Sequence, residues 1–229
     1  MLDKIKHRTV LIHILREMYD HASLAPLLGF KGGTAAFLFY QLPRMSVDLD
    51  FDLLDSEKQE IVFEALTKIF QKFGRVEEAE EKKYTLFWLI SYEKGQHHAK
   101  IEISKRPMKA QYEIKNLLGT NVLVIKQEDM FANKLAAVLG RKKPVNRDLY
   151  DIWYFLDQHW DLNTKLVEAQ AGMTFSRYLQ KCIHHIEKID SRYLLAGLGE
   201  LVDNKTKYLV KEKLKDELLF LLRLKLSEL

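Results

Sequence analysis

Hydrophobic residues follow two different periods along this chain and divide it into two parts. From Lys4 to about Tyr19 apolar residues recur close to every 3.6 positions, which predicts an amphipathic helix. Between residues 46 and 105 several segments alternate polar and apolar positions, as strands do. From Arg147 onward nearly every segment has the helical period. We therefore expect an α/β domain over residues 1–125, followed by an α-helical domain over residues 126–229.

Composition narrows the class of protein. The 229 residues are 47% hydrophobic, enough for a sizeable core, and four prolines and ten glycines argue against long disordered segments. A single cysteine, Cys182, rules out a disulfide framework within the chain and suits a reducing compartment. The longest apolar stretch, "LLFLLRLKL", is interrupted by Arg223 and Lys225, well short of the roughly 20 residues that a membrane-spanning helix needs. We expect a cytoplasmic protein with no membrane span.

One short segment combines a glycine turn with paired acids. In "FKGGTAAFLFYQLPRMSVDLDF" the residues Gly32, Gly33 and Thr34 precede a helical run, for which Thr34 is suited as the N-cap. The N–H groups at such a helix start bind phosphate readily. The following strand places Asp48 and Asp50 on one face, within an apolar frame. Because Mg²⁺ prefers one or two carboxylates together with substrate phosphates, turn and strand together predict a site for a metal-bound nucleoside triphosphate.

A third acid is expected on a neighbouring strand. Transfer of a nucleotidyl group with two metal ions needs one more carboxylate, which binds the second ion and attracts the proton of the attacking hydroxyl. The segment "KIEIS" offers Glu102 between Ile101 and Ile103. The alternative, an exposed glutamate on an amphipathic strand, is common. The presence of Asp48 and Asp50 favours the catalytic interpretation.

The order of these motifs resembles a known family. The segments "KGGTAAFLFYQLPRMSVDLDFDL", "KIEI", "NKLAAVLGR" and "NRDLYDIW" are similar to the AbiEii/AbiGii family of nucleotidyltransferase-like toxins, whose members include the MenT proteins. The resemblance runs from about Phe30 to Trp153. It implies an α+β, polymerase-β-like nucleotidyltransferase fold, with a mixed sheet, flanking helices and an α-helical C-terminal region that completes the active-site cleft.

The resemblance also implies a function. It implies a toxin that transfers a nucleoside monophosphate from an NTP to an RNA acceptor, often the 3′ end of tRNA, with Mg²⁺ as cofactor. The expected protein partner is an antitoxin encoded beside the toxin. Two alternatives stay open: transfer to a protein or a small molecule, and a relative that binds nucleotide or RNA without catalysis. The basic segment from Arg141 to Arg147 favours a polyanionic acceptor, because phosphate contacts supply most affinity that is independent of sequence.

Four further residues are candidates for the site. Lys134, and Asp148 with Asp151 in "RDLYD", match the family's downstream motifs. Lys134 is expected to neutralise the triphosphate and Asp148 to orient Lys134 or the nucleotide. A solvated helical lysine and an ordinary helix-start acid are the structural alternatives. Arg44 and Ser46 precede the paired aspartates and are expected to touch phosphate, or else to tie down the loop after Pro43.

Overall fold

The computed structural model describes residues 3–93, 98–107, 109–141 and 145–229. By its internal contacts the chain forms two compact units. The first unit consists of Met1–Gln41 and Met45–Lys126, and the second of Leu42–Arg44 and Gln127–Leu229. The short segment Leu42–Arg44 therefore belongs with the C-terminal residues, although the residues on both sides of it belong to the first unit.

The first unit is an α+β structure. Its helices and strands, in chain order, are α1 (Lys4–Asp20), β1 (Leu28–Lys31), α2 (Gly32–Phe39), β2 (Asp48–Leu53), α3 (Gln59–Phe70), β3 (Arg75–Glu81), β4 (Thr85–Ser91), β5 (Ala99–Ser104), β6 (Tyr112–Leu117) and β7 (Thr120–Ile125). The seven strands form one sheet in the order β3-β4-β5-β2-β1-β7-β6. β2 runs parallel to β5 and β1 parallel to β7, whereas the other neighbouring pairs are antiparallel. The mixed sheet expected from the resemblance is confirmed.

One face of the sheet forms the hydrophobic core of this unit. Helices α1 and α3 lie against it, and the inward residues of the central strands are inaccessible to solvent, as alternation along a half-buried strand requires. Trp88 of β4 is fully buried on this face, stacks on Phe63 of α3 and donates its indole N–H to Thr67 at 2.9 Å. The polar residues that alternate with these core positions therefore lie on the opposite face.

The second unit is α-helical. Its helices are α4 (Gln127–Gly140), α5 (Asn146–Asp157), α6 (Thr164–Ala171), α7 (Phe175–Glu187), α8 (Asn204–Glu212) and α9 (Leu214–Ser227). Helix α6 ends at Gly172, whose φ of 65° is the left-handed conformation that favours glycine at a C-cap. Among the helices described in either unit, none is long and apolar enough to cross a membrane.

Two local predictions differ from the structure. Helix α2 begins at Gly32, so Thr34 lies inside the helix and does not cap it; its hydroxyl instead donates to the backbone carbonyl of Asp48. Strand β6 was not predicted, because "YEIKNL" is exposed or half-exposed on both faces and lacks a clear apolar alternation. Its pairing with β7 across a tight turn at Leu118 and Gly119 stabilises it as an edge strand.

Candidate active site

The parallel pair of β2 and β5 brings the predicted acids of the first unit together. In the strand register Asp50 lies opposite Glu102, and Asp48 lies opposite Lys100. These four residues share one face, because side chains two positions apart in a strand point the same way. Leu49 is fully buried on the other face. Alternation in two adjacent strands thus places three carboxylates and one ammonium group on the polar face.

Lys100 forms ion pairs with two of these acids. Its Nζ lies 3.3 Å from Oδ2 of Asp48 and 3.8 Å from Oε1 of Glu102. Partial burial lowers the pKa of Lys100, but the carboxylates of Asp48 and Glu102 raise it by more, and the resulting pKa is above its ordinary value. The ammonium is therefore charged at neutral pH and offsets part of the negative charge of this face.

The glycine turn lies directly beside Asp50. Gly32 has a φ of +79°, and a Cβ added there would clash with the carboxylate of Asp50. A side chain at this position would be both strained and obstructed. Lys31, the N-cap residue of α2, has no acceptor with which to cap the first N–H groups of the helix. A phosphate is a suitable acceptor for such N–H groups.

A buried ion pair fixes the turn to β2. Asp52 is inaccessible to solvent and accepts hydrogen bonds from Nζ of Lys31 and from the hydroxyl of Tyr112, each at 2.5 Å. The Tyr112 ring lies where a Cβ at Gly29 would be, so glycine is needed there. Asp52 shares a face with Asp48 and Asp50, but its charge is compensated by Lys31. Its position is that of a structural anchor.

The segment that leads into β2 is also held from one side. The imidazole of His7, which is fully buried, contacts the backbone carbonyl of Val47 through Nε2 at 2.9 Å and the hydroxyl of Tyr92 through Nδ1 at 2.8 Å. Ser46, expected to touch phosphate, is 6% exposed. These contacts fix the start of the strand on which Asp48 stands.

The acids of the polar face have the chemistry of a magnesium site. In the described part of the chain, no group of three or more His, Cys, Asp or Glu side chains is arranged to hold a metal ion by itself. Asp48 and Asp50 nevertheless supply the hard oxygen ligands that Mg²⁺ prefers, and Mg²⁺ commonly completes its shell with water and substrate phosphates. The donor set therefore fits an ion that is shared with a nucleotide.

A separate cluster of charges lies in the second unit and is centred on Asp151. Arg44 donates to Oδ1 of Asp151 from Nε at 2.5 Å and to Oδ2 from Nη2 at 2.7 Å. Both side chains are buried, with 2% and 0% of their surface exposed. Burial raises the pKa of Asp151, but Arg44 and Lys134 lower it by more, so that the pKa lies below its ordinary value. Arg44 therefore belongs to a buried ion pair that ties its loop to α5.

Lys134 joins two aspartates of α5, Asp148 and Asp151. Its Nζ lies 2.6 Å from Oδ1 of Asp148 and 2.8 Å from Oδ2 of Asp151. Burial lowers the pKa of Lys134, but both carboxylates raise it by more, and the ammonium stays charged. Arg141, which is half exposed, binds the other oxygen of Asp148 at 2.5 Å. The predicted contact between Asp148 and Lys134 is present.

The structure thus brings the predicted site residues into two groups. Gly32, Asp48, Asp50 and Glu102 lie together in the first unit, with Gly33 and Thr34 in the first turn of α2. Lys134 and Asp148 lie together with Arg44 in the second unit. Within the predicted basic segment, residues 142–144 lie outside the described part of the chain.

Two members of these groups, Lys100 and Arg141, were not predicted as site residues, and Asp151 was predicted only as part of the motif "RDLYD". Lys100 could have been found from the same alternation that indicated Glu102, because "KIE" places both on one face. Asp151 lies three residues after Asp148, on the same side of a helix. Arg141 belongs to the basic segment close to Asp148 in sequence, but no pairing of the two side chains was predicted.

Comparison with known proteins identifies a family and solved structures of similar fold. The family model described as "Nucleotidyl transferase AbiEii toxin, Type IV TA system" matches residues 13–218. A solved structure described as a nucleotidyltransferase from H. pylori is 22% identical, with a TM-score of 0.64, covering 98% of this chain and 96% of that one. JHP933 from Helicobacter pylori is 21% identical, also with a TM-score of 0.64, covering 100% of this chain and 96% of that one. Among curated protein sequences, none matches this chain significantly.

Proposed function

We propose that this chain, which belongs to the AbiEii family of nucleotidyl transferase toxins from type IV toxin–antitoxin systems, is a Mg²⁺-dependent enzyme that transfers a nucleoside monophosphate from an NTP to RNA. The expected acceptor is the 3′ end of tRNA, and the expected protein partner is a cognate antitoxin. Family membership supports nucleotidyl transfer, a triphosphate donor and an antitoxin.

The observation that carries the proposal is the register of β2 and β5. It places Asp50 opposite Glu102 and within reach of the Gly32 turn. A cation at Asp48 and Asp50 would lie beside N–H groups that suit phosphate. The polar face therefore combines the two kinds of group that bind a metal–triphosphate complex.

The reaction assigns a role to each of these groups. The acceptor hydroxyl oxygen bonds to the α-phosphorus of the NTP as the bond from that phosphorus to the bridging oxygen breaks, and pyrophosphate leaves. Mg²⁺ bound by Asp48 and Asp50 would neutralise charge on the phosphates. Glu102 is 39% exposed and can reach an acceptor from solution; it takes the hydroxyl proton. The turn at Gly32 and Gly33 binds the triphosphate through backbone N–H groups.

The charged cluster of the second unit provides the remaining roles. We assign Lys134 to the neutralisation of phosphate charge, with Asp148 as the residue that orients its ammonium. Arg44 and Ser46 are buried, which favours a role in positioning the loop before β2 over direct contact with the nucleotide. Arg141, half exposed and the first residue of the basic segment, favours a polyanionic acceptor.

A labelling experiment tests the function directly. The protein is incubated with Mg²⁺, one α-³²P-labelled NTP at a time, and either total RNA or total soluble protein. Label in a tRNA band, lost with EDTA and with Asp50→Asn, is the expected result. Label that appears only in protein would show that the acceptor is a protein and not RNA. If none of the four NTPs supports transfer but nucleotide still binds, the protein is a family member that binds nucleotide without catalysis.

A further inference from the structure

Lys100 occupies an unusual position for a cation in a metal site. It stands on β5 opposite Asp48 and two residues before Glu102, on the same face as both. Its Nζ lies between their carboxylates, at 3.3 and 3.8 Å. These are the two acids that would hold a second metal ion, since Asp48 is shared with the first ion in a two-metal arrangement. The side chain is 33% exposed, so the ammonium is partly withdrawn from water.

The position of this ammonium group opposes a second metal ion. A divalent ion held by Asp48 and Glu102 would have to approach Nζ of Lys100 at close range, where repulsion in a partly buried site is strong. Asp52 lies on the same face, but its carboxylate already pairs with Lys31.

We propose that Lys100 takes the place of a second metal ion, so that the site binds one divalent ion through Asp48 and Asp50. This inference rests on the proposed function, since it assigns the cations of the same site. The ammonium fixes the carboxylate of Glu102 beside Asp48 and leaves its other oxygen for the acceptor hydroxyl. Lys100 is therefore a positioning residue, and the protein itself provides one of the two cations.

Metal binding alone, without nucleotide or turnover, tests the proposal. Mn²⁺ is titrated into the full-length protein, and free Mn²⁺ is counted by its electron paramagnetic resonance signal. The variants are Lys100→Met, which removes the charge, and Lys100→Arg, the matched control that keeps it. We expect one bound Mn²⁺ per chain for the unsubstituted protein and for Lys100→Arg, and one more for Lys100→Met. Adding Asp50→Asn to each of these three proteins is expected to lower the number of bound Mn²⁺ ions.

Thermal melting in EDTA is recorded first, so that folded variants are compared. Lys100→Met is expected to melt at a lower temperature in EDTA and to recover with Mn²⁺, because three carboxylates then repel each other until metal binds. Lys100→Gln, which keeps a polar side chain, replaces Lys100→Met if the latter does not fold.

Two outcomes would overturn the proposal: two Mn²⁺ ions on the unsubstituted protein, or equal numbers on that protein and Lys100→Met. The labelling experiment tests the proposed function, and its result does not depend on the number of Mn²⁺ ions that bind. One bound Mn²⁺ that rises with Lys100→Met, but no transferred label, would refute the proposed function and retain this inference.

Discussion

Arg44 and Asp151 form a buried, bidentate ion pair, although 107 positions separate them in sequence. The two nitrogen–oxygen distances are 2.5 and 2.7 Å. The pair explains why Leu42–Arg44 belongs to the helical unit while its neighbours belong to the sheet unit. Asp48 follows Arg44 by only four residues. The segment that leads to β2 is thus fixed at its start by an ion pair and at Val47 by His7.

Asp151→Asn is expected to destabilise the protein by about 3–5 kcal/mol, because it leaves Arg44 buried with only partial compensation. Urea unfolding measures the loss. Asp157→Asn, on the exposed end of the same helix, is the matched control and is expected to change the unfolding free energy by less than about 0.5 kcal/mol. A loss below about 1 kcal/mol for Asp151→Asn would contradict a structural role for the pair.

The same pair predicts how stability depends on pH. The pKa of Asp151 is held below its ordinary value of 3.8 by Arg44 and Lys134 in the folded state, against the effect of burial. Its contribution to stability is therefore complete above pH 3.8 and is lost as the pH falls from there through the lower folded-state pKa. We expect the unfolding free energy to decrease in this range, and to decrease less steeply in Asp151→Asn. Equal slopes in urea titrations at several acidic pH values would refute the assignment.

The sequence predicted which residues lie in the candidate site better than it predicted their ion-pair and hydrogen-bond partners. Period-two alternation was enough to place Asp48 and Asp50 on one face, and the motif order indicated the family, which is confirmed. The partners Lys100 and Arg141 were missed because alternation and motif order place residues on strands and helices but do not predict which charged side chains pair. The interior position of Thr34 depends on its hydrogen bond to β2, which is a tertiary contact that helix-capping preference does not include.

The paired aspartates are predicted to be essential for transfer but not for folding. Asp50→Asn removes a metal ligand and also relieves repulsion among carboxylates, so we expect transfer to be abolished while the melting temperature in EDTA is unchanged or higher. Glu78→Gln, which alters an exposed acid on β3, is the control and should leave transfer intact. Full activity of Asp50→Asn would rule out a metal at this face.

Glu102 is predicted to accept the proton of the attacking hydroxyl. Glu102→Gln keeps the shape of the side chain but removes its basicity, and we expect a rate loss of at least ~10²-fold. The loss should appear in single-turnover rates with NTP saturating, since nucleotide binding depends chiefly on Asp48, Asp50 and the glycine turn. A near-normal rate would show that Glu102 is an ordinary solvated acid at the end of the ion-pair network with Lys100.

Asp148 is the residue whose structural and catalytic roles separate most clearly. It lies in the first turn of α5, where the helix dipole favours an acid by ~0.3–1 kcal/mol. It also accepts hydrogen bonds from Lys134 at 2.6 Å and from Arg141 at 2.5 Å. A purely structural role predicts a small change in stability and unchanged transfer. An orienting role for Lys134 predicts that Asp148→Asn lowers the transfer rate by about 10²-fold, as misplacement of a group at a reacting centre does.

We expect the orienting role, with a stability loss smaller than that of Asp151→Asn, because half-exposed Arg141 can return to water when its partner loses its charge. Asp216→Asn provides the control, since Asp216 is an exposed acid in the first turn of α9, where the same helix-dipole effect acts. Transfer rates and urea unfolding are measured on all three variants. If Asp148→Asn keeps its activity while Asp151→Asn is folded and inactive, the residue that orients Lys134 is Asp151, one helical turn further along α5.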